Sequence, residues 1–168
     1  MENYMKLEIA AISENESFAR SAVAAFALSL SPSLSELSDI KTAVSEAVTN
    51  CVVHAYKNGE TQRKILIECQ TKTNEPIDPK RGDRSGVYGV LHIQVTDYGC
   101  GIENVEQALA PFYTTLAGEE RSGMGFTIMQ TFMNDFSVQS EYGKGTKVTM
   151  TKKIGMPLDE EVRERVDA

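Results

Sequence analysis

The segment that most constrains the fold is an amphipathic helix pattern from about residue 35 to residue 56. Its apolar residues recur at three- and four-residue spacing, which predicts a helix with one face in a core. They are Val44, Ala47, Val48, Cys51, Val52 and Ala55. Glu46 and Asn50 lie one turn apart on the polar side, because each residue turns the helix by about 100°. A carboxylate beside an amide can serve as a base next to a metal ligand, but a solvated polar face has the same pattern.

A second segment joins a strand pattern to closely spaced glycines. The alternating apolar run 90–95 predicts a strand, and Asp97, Gly99 and Gly101 follow it. Glycines at these positions allow a sharp turn and a close backbone approach to a flat ligand. The aspartate can accept a hydrogen bond from an exocyclic amine such as that of adenine. A tight turn capped by an aspartate is the alternative interpretation.

Two more glycine-containing turns follow along the chain. Gly123, Met124, Gly125 and Phe126 lead into a helical pattern, and the unpaired N–H groups at the start of such a helix suit a phosphate chain. The run 143–146, Gly-Lys-Gly-Thr, separates two strand patterns. A flexible loop explains the first turn equally well, and an ordinary hairpin explains the second.

In their order along the chain, these motifs resemble the nucleotide-binding boxes of the gyrase, Hsp90, histidine kinase and MutL superfamily. The resemblance covers about residues 7 to 153. Within this superfamily, the resemblance is more specific to the anti-sigma-F factor family of endospore formers. It is carried by residues 15–20, 45–50 and 120–129. Members of that family are serine kinases that sequester a sporulation sigma factor and phosphorylate its antagonist, the anti-anti-sigma protein.

The resemblance implies an α+β fold, a two-layer sandwich of helices on a mixed β-sheet known as the Bergerat-type ATP-binding fold. One helix layer against a sheet also satisfies the apolar patterns. Strands are predicted at 5–12, 64–70, 88–95, 136–140 and 146–152, and a helix is predicted at 15–30. The core stripe of that helix is expected to consist of Phe18, Ala22, Val23, Phe26 and Leu30.

The length of 168 residues is sufficient for one domain with its own core. We expect an ATP-binding kinase and anti-sigma domain over residues 1–154 and a charged tail over 155–168. Within the domain, the polar segment 71–86 predicts a long hairpin connection, inserted where the family has a tighter turn. Its basic residues either increase solubility or dock a partner.

When the site residues of the family are transferred one by one to the matching positions of this sequence, the resemblance implies a Mg²⁺–ATP site. Glu46 would be the catalytic base, Asn50 would ligate Mg²⁺, and Asp97 would read adenine with help from Thr146. Further nucleotide contacts are implied for Gly99, Gly101, Thr114, Thr115, Arg121, Ser122, Gly123, Met124, Gly125 and Phe126. The lid over the triphosphate departs from the family at Leu116, where a lysine is expected, so the residue that contacts the γ-phosphate stays open. His54 is either an orienting residue or a structural histidine.

The resemblance also implies a homodimer that holds one sigma factor of the sporulation sigma-F type until the anti-anti-sigma protein displaces it. Arg20 is the candidate partner contact, because it is the sole cation on its helix and lies off the predicted core stripe. A solvated arginine is the alternative.

Composition restricts the remaining function classes. The formal charge of −7 argues against direct nucleic-acid binding. We recognise neither a signal peptide nor an apolar run long enough to cross a membrane. The three cysteines have no metal or redox spacing, which favours a reduced, cytoplasmic protein.

Two alternatives within the same superfamily stay open. A stand-alone ATPase would use Glu46 to activate water, and a nucleotide-dependent binding module would keep the site without kinase activity. A sensor histidine kinase domain is less favoured, because no phosphoacceptor helix pair precedes the motifs.

Overall fold

In the computed structural model, residues 2–56, 63–73, 89–111 and 123–155 are described. The strands are β1 (Glu2–Ala10), β2 (Lys64–Thr73), β3 (Gly89–Asp97), β4 (Asp135–Glu141) and β5 (Gly145–Ile154). The α-helices are α1 (Glu14–Ala27), α2 (Leu34–Asn50), α3 (Val105–Leu109) and α4 (Gly125–Phe132). A 3₁₀ turn (Leu28–Leu30) follows α1, and a π-helical segment (Cys51–Ala55) follows α2. In these ranges no helix is long and apolar enough to span a membrane.

The strands form one five-stranded sheet in the order β1-β2-β3-β5-β4. The predicted α+β class is confirmed, but the prediction of a mixed sheet is wrong, because all four neighbouring pairs are antiparallel. After β3 the chain crosses through α3 and α4 and returns at the edge of the sheet as β4. The β4–β5 hairpin then inserts β5 beside β3 in the opposite direction.

Strand β2 is longer than its sequence pattern predicts. Thr71, Lys72 and Thr73 pair with residues 91, 90 and 89 of β3, and Thr71 is buried. The predicted connection 71–86 therefore begins after Thr73, since its first three residues still belong to the ladder. Residues 74–86 of that connection, and the tail from 156 onward, lie outside the described residues.

The core lies between the helices and one face of the sheet. On α2, the predicted apolar face is buried at Val44, Ala47 and Val48, and Glu46 and Asn50 are half-buried on the other side. Aliphatic residues of the three central strands complete the core: Ile65, Ile67, Leu91, Ile93, Val95, Val148 and Met150.

The predicted stripe of α1 is wrong at Phe18, whose side chain is 53% exposed. Val23 of the predicted stripe is buried, together with Ala19, Ala24 and Ala27. These smaller side chains let α1 approach α2, while the ring of Phe18 lies one residue, or about 100°, away from them. Large apolar residues do not always mark the buried face when a stripe of small ones lies beside them.

A capping box fixes the start of α2. The hydroxyl of Ser33 accepts from the N–H of Glu36 at 3.2 Å, and Oε2 of Glu36 accepts from the N–H of Ser33 at 2.7 Å. Oε1 of Glu36 also accepts from the N–H of Gly155 at 3.0 Å, just beyond β5. One carboxylate therefore connects the first turn of α2 to the end of the sheet.

A lysine on the buried side of β5 joins the same elements. Nζ of Lys152 donates to Oδ2 of Asp39 on α2 at 2.8 Å and to the carbonyl of Phe132, the last residue of α4, at 2.7 Å. Because both contacts lie near helix ends, they set the position of α2 relative to α4.

Replacing Glu36 by alanine should lower the free energy of unfolding by about 1–2 kcal/mol at neutral pH, because the helix cap and the bond to Gly155 are both lost. Burial raises the pKa of Glu36, but the N–H groups of Ser33 and Gly155, the Ser33 hydroxyl and the charge of Lys152 outweigh it, so the pKa lies below its ordinary value of 4.5. A lowered carboxyl pKa gives stability that is present above the unfolded pKa and lost as the pH falls through the folded pKa.

Urea unfolding at neutral and acidic pH tests this expectation, and the difference between wild type and E36A should shrink below about pH 4.5. Glu14→Ala is the matched control, because it removes an exposed acid from the first turn of α1 without removing a cap. Equal losses in the two variants would contradict a specific role for the capping box.

Candidate nucleotide site

A cavity of about 910 Å³ lies between α2, the turn after β3, α3, the start of α4 and β5. Nine residues predicted for the site line it: Glu46, Asn50, Asp97, Gly101, Gly123, Met124, Gly125, Phe126 and Thr146. Motifs that are far apart in the sequence thus meet around one space. The predicted lid residues Thr114, Thr115, Arg121 and Ser122, and also Leu116, lie outside the described residues.

The polar pair of α2 faces the start of α4 at very short range. A β-carbon built on Gly125 would lie 3.1 Å from Oε2 of Glu46 and 3.3 Å from Oδ1 of Asn50. A side chain at position 125 would therefore require the ends of Glu46 and Asn50 to shift by a few tenths of an ångström. No side chain caps this turn. The N–H groups of a first helical turn point out of the N-terminal end of the helix, which here lies at the cavity.

The helix pattern predicted through residue 56 changes its hydrogen bonding at Cys51. The segment from Cys51 to Ala55 is π-helical, a form that often occurs at functional sites. Its last carbonyl, that of Ala55, accepts from the N–H of Cys100 at 2.7 Å. The end of the helix is thereby attached to the glycine-rich turn, and His54 forms part of the cavity wall.

Asp97 ends β3 and is only 5% exposed. Its Oδ1 accepts from the N–H groups of Gly99 at 3.0 Å and Thr146 at 3.2 Å. Burial raises the pKa of Asp97 above its ordinary value of 3.8, and the donated hydrogen bonds only partly offset that effect. A buried carboxylate is costly without donors, so this one is suited to receive a further donor from a ligand.

Three glycines permit backbone contacts around Asp97 that a side chain would prevent. A β-carbon on Gly99 would lie 1.9 Å from the carbonyl oxygen of Ala55, and one on Gly101 would lie 2.2 Å from that of Glu141. On Gly145 it would lie 2.2 Å from the carbonyl oxygen of Asp97. Gly101 and Gly145 also have positive φ values of 69° and 112°. Gly99, predicted as a nucleotide contact, does not line the cavity and instead packs behind its wall.

Thr146 contributes more through its backbone than through its hydroxyl. Its N–H binds Asp97, whereas its Oγ1 is 2.9 Å from Oγ of Ser140. Ser140 also accepts from the N–H of Ile102 at 2.7 Å. None of the sequence motifs includes this serine, which joins the turn after β3 to the β4–β5 hairpin.

One wall of the cavity consists of residues that no sequence motif predicted for the site. It comprises Ile102, Glu103, Asn104, Gln107 and Ala108, at and before α3. Oδ1 of Asn104 caps the helix by accepting from the N–H of Gln107 at 3.0 Å. An asparagine shortly after a glycine-rich turn is a typical helix start, and that signal could have placed a helix beside the site.

Arg20 lies away from the cavity, where α1 packs on α2. Its Nη1 donates to Oε1 of Glu16 at 3.2 Å and to Oγ of Ser45 at 3.4 Å, and the Ser45 hydroxyl donates to the same carboxylate. The Arg20 side chain is nevertheless 43% exposed. It is therefore attached to its own domain while still accessible.

Comparisons with known proteins identify the relatives of this chain. Residues 9–152 match the family described as a histidine kinase-like ATPase domain. The chain is 50% identical over 155 residues to an anti-sigma F factor of Caldanaerobacter subterraneus subsp. tengcongensis, covering 91% of this chain and 95% of the relative. It is 48% identical over 161 residues to an anti-sigma F factor of Clostridium acetobutylicum, covering 95% and 99%. A solved structure, the mycobacterial sensor histidine kinase MprB, aligns with a TM-score of 0.43 and 18% identity over 73% of this chain and 74% of that one.

Identity of about half the residues across nearly the full length of these relatives, together with a domain match that spans every wall of the cavity, decides the family. The chain belongs to the anti-sigma F factors and contains a histidine kinase-like ATPase domain.

Proposed function

We propose that this protein binds and inhibits a sporulation sigma factor of the sigma-F type and, with Mg²⁺–ATP, phosphorylates a serine of its anti-anti-sigma antagonist. The observation that carries the proposal is the close approach of the backbone at Gly125 to the side chains of Glu46 and Asn50, where a β-carbon would lie 3.1–3.4 Å from them. It joins a carboxylate, an amide and the N–H groups of a helix start at one end of a cavity large enough for a nucleotide.

Adenine would bind at the other end of the cavity. The exocyclic amine donates to Asp97, whose buried carboxylate already holds the backbone of Gly99 and Thr146. Gly101 and the backbone at Thr146 complete the contacts to the base. The phosphates then extend toward residues 123–126, where the start of α4 provides N–H donors and the positive end of the helix dipole.

The residues around Asn50 fit a magnesium ion that is held together with the nucleotide. Mg²⁺ binds oxygen ligands, usually keeps several waters and takes one or two protein groups plus substrate phosphates. Oδ1 of Asn50 provides one such oxygen beside the start of α4. When bound there, the ion neutralises charge on the phosphates.

Glu46 would act as the general base. Phosphoryl transfer depends mainly on position and charge compensation, and a carboxylate within hydrogen-bond reach can accept the proton of the incoming serine hydroxyl. Glu46 lies one turn before Asn50 on α2, so one helix orients the base and the metal ligand together. The lid residues Thr114, Thr115, Arg121 and Ser122 are proposed as further contacts to the triphosphate.

The remaining expectations follow from the family. We propose a homodimer in the cytoplasm, where free Cys51, Cys69 and Cys100 stay reduced. Residues 1–154 would act as one kinase and anti-sigma domain, with 155–168 as a tail. Arg20 would contact the sigma factor, the anti-anti-sigma protein or both, since its guanidinium is accessible and lies close to Ser45, the residue before Glu46.

The decisive experiment is incubation of the purified protein with labelled ATP and the anti-anti-sigma protein. Phosphoserine on the partner supports the kinase. Free phosphate alone would indicate a stand-alone ATPase that activates water with Glu46, and nucleotide binding without turnover would indicate a binding module.

Replacing Glu46 by glutamine should preserve ATP binding and reduce phosphotransfer about 10²–10⁴-fold, the usual contribution of a general base. Single-turnover phosphorylation measures the effect. Glu103→Gln is the matched control, because Glu103 also lines the cavity but on the side of α3, and its phosphotransfer should be nearly unchanged. Undiminished transfer by E46Q would rule out this role.

Replacing Asp97 by asparagine should weaken ATP binding about tenfold to a hundredfold, because hydrogen bonds to charged groups contribute about 1.5–3 kcal/mol. The fold should not be weakened at neutral pH. The folded state holds a proton on Asp97 more tightly than the unfolded state, so this residue's contribution to the free energy of unfolding falls as pH rises from 3.8 through its raised pKa. Calorimetric titration with circular dichroism tests both statements, and unchanged ATP affinity would make Asp97 only a turn residue.

Replacing Arg20 by alanine should cost no more than about 1 kcal/mol of stability, since partly exposed ion pairs contribute little. ATP affinity should stay normal. The free energy of binding to at least one protein partner should weaken by about 2 kcal/mol or more, as for an arginine hot spot. This corresponds to a roughly thirtyfold higher dissociation constant. Lys41→Ala removes an exposed cation of α2 and serves as control. If R20A binds both partners normally, Arg20 is a bystander.

A further inference from the structure

We propose that Ser140 positions the hydroxyl of Thr146 so that it presents only hydrogen-bond acceptors to the base end of the nucleotide cavity, and thereby favours a 6-amino purine over a 6-oxo purine. This task rests on the proposed function, in which Asp97 accepts from the 6-amino group of adenine. Ser140 is not among the described residues that line the cavity, so it is a positioning residue that acts through Thr146.

Ser140 and Thr146 lie opposite each other in the β4–β5 hairpin. The two residues are partners in the antiparallel register, and the side chains of directly opposite residues lie on the same face of a sheet. Their hydroxyl oxygens are 2.9 Å apart. Thr146 lines the cavity, and its N–H donates to Oδ1 of Asp97 at 3.2 Å. The hydroxyl therefore belongs to the residue that holds the proposed adenine acceptor.

The other contacts of Ser140 decide which of the two hydroxyls donates. A serine hydroxyl has one proton and two lone pairs. The Ser140 hydroxyl donates to the carbonyl oxygen of Gly145 at 3.0 Å, which uses its only proton, because a carbonyl can only accept. Its oxygen accepts from the N–H of Ile102 at 2.7 Å, which uses one lone pair. The remaining lone pair can receive only the proton of Thr146.

The hydroxyl of Thr146 is therefore the donor in this pair. Because its one proton is directed to Ser140, Oγ1 of Thr146 keeps only lone pairs for a ligand. The base end of the cavity would then present two acceptors, this oxygen and the carboxylate of Asp97. The 6-amino group of adenine has two hydrogens to donate, whereas a 6-oxo group has only lone pairs, which both acceptors would repel.

The test compares ATP with inosine triphosphate, which has a 6-oxo group in place of the 6-amino group. Calorimetric titration gives a dissociation constant for each nucleotide, and the selectivity ratio is the constant for inosine triphosphate divided by that for ATP. Ser140→Ala leaves the Thr146 hydroxyl free to turn and donate, so it should lower this ratio about threefold to tenfold, the usual effect of one neutral hydrogen bond. Ser140→Thr keeps the hydroxyl and should keep a ratio close to that of the wild type.

The selectivity ratio separates a positioning role from a structural one. If the bonds from Ser140 to Ile102 and Gly145 only held the cavity together, their loss would weaken both nucleotides by the same factor and leave the ratio unchanged. Ser137→Ala is the matched control. Ser137 lies on the same strand but is exposed on the opposite face, so this variant should keep both affinities and the ratio.

A double-mutant cycle tests whether Ser140 acts through Thr146. Thr146→Val removes the hydroxyl but not the backbone bond to Asp97, so it should also lower the selectivity ratio. In the T146V background, Ser140→Ala should cause no further change in the ratio. T146V leaves the bonds of Ser140 to Ile102 and Gly145 in place, so it still tests the task of the hydroxyl if S140A does not fold.

Three results would overturn the inference. An unchanged ratio in S140A would mean that Ser140 only joins the turn after β3 to the hairpin. An unchanged ratio in T146V would mean that the hydroxyl does not contact the base. A further fall in the ratio when S140A is added to T146V would mean that Ser140 acts by a route other than Thr146.

Asp97→Asn distinguishes these failures from a failure of the proposed function. Normal ATP affinity of D97N would remove the proposed role of Asp97 and, with it, the basis for the task of Ser140. Weakened ATP binding by D97N together with an unchanged ratio in S140A would keep Asp97 as the base acceptor and reject only the task of Ser140.

Discussion

The nucleotide cavity depends on three stretches of backbone that touch without side chains between them. The N–H of Cys100 binds the carbonyl of Ala55 at the end of the π-helical segment, and the N–H of Gly143 binds the carbonyl of Cys100 at 2.6 Å. Gly99 and Gly101 permit these contacts, since a β-carbon at either position would fall within 2.2 Å of a carbonyl oxygen. The end of α2, the turn after β3 and the β4–β5 hairpin are therefore fixed to one another.

These backbone contacts determine where Asp97 lies, and they also make its ionised carboxylate costly to bury. The carboxylate is enclosed by the three stretches and is held mainly by backbone N–H groups. Burial raises its pKa, which means that the ionised group is less favourable there than in water. In the proposed function, the exocyclic amine of adenine would supply a further donor. The base would then complete the stabilisation of this acceptor, and selectivity for an amino-bearing purine would follow from the packing.

The sequence predicted those parts of the site that depend on local pattern. Glu46 and Asn50 were placed by helical periodicity, and Asp97 by its position at the end of an alternating run. What it could not predict depends on how elements pack. Phe18 has the hydrophobicity of a core residue, but α1 buries its small residues against α2 instead. The mixed sheet implied by the resemblance is wrong. Strand direction depends on where the β4–β5 hairpin inserts, which no local pattern shows.

Helix α2 connects the two surfaces that the proposed function requires. Its buried face packs on the sheet, its polar face presents Glu46 and Asn50 to the cavity, and Ser45 contacts Glu16 and Arg20 on α1. Both ends of the helix are held, by Glu36 at the start and by Ala55 and Cys100 beyond the end. A helix held in this way moves as a unit, since packed interiors resist local deformation. If a partner binds at Arg20, which contacts Ser45 of α2, and a nucleotide binds at Asn50, both ligands would act on α2. Any coupling between them would be reciprocal in free energy.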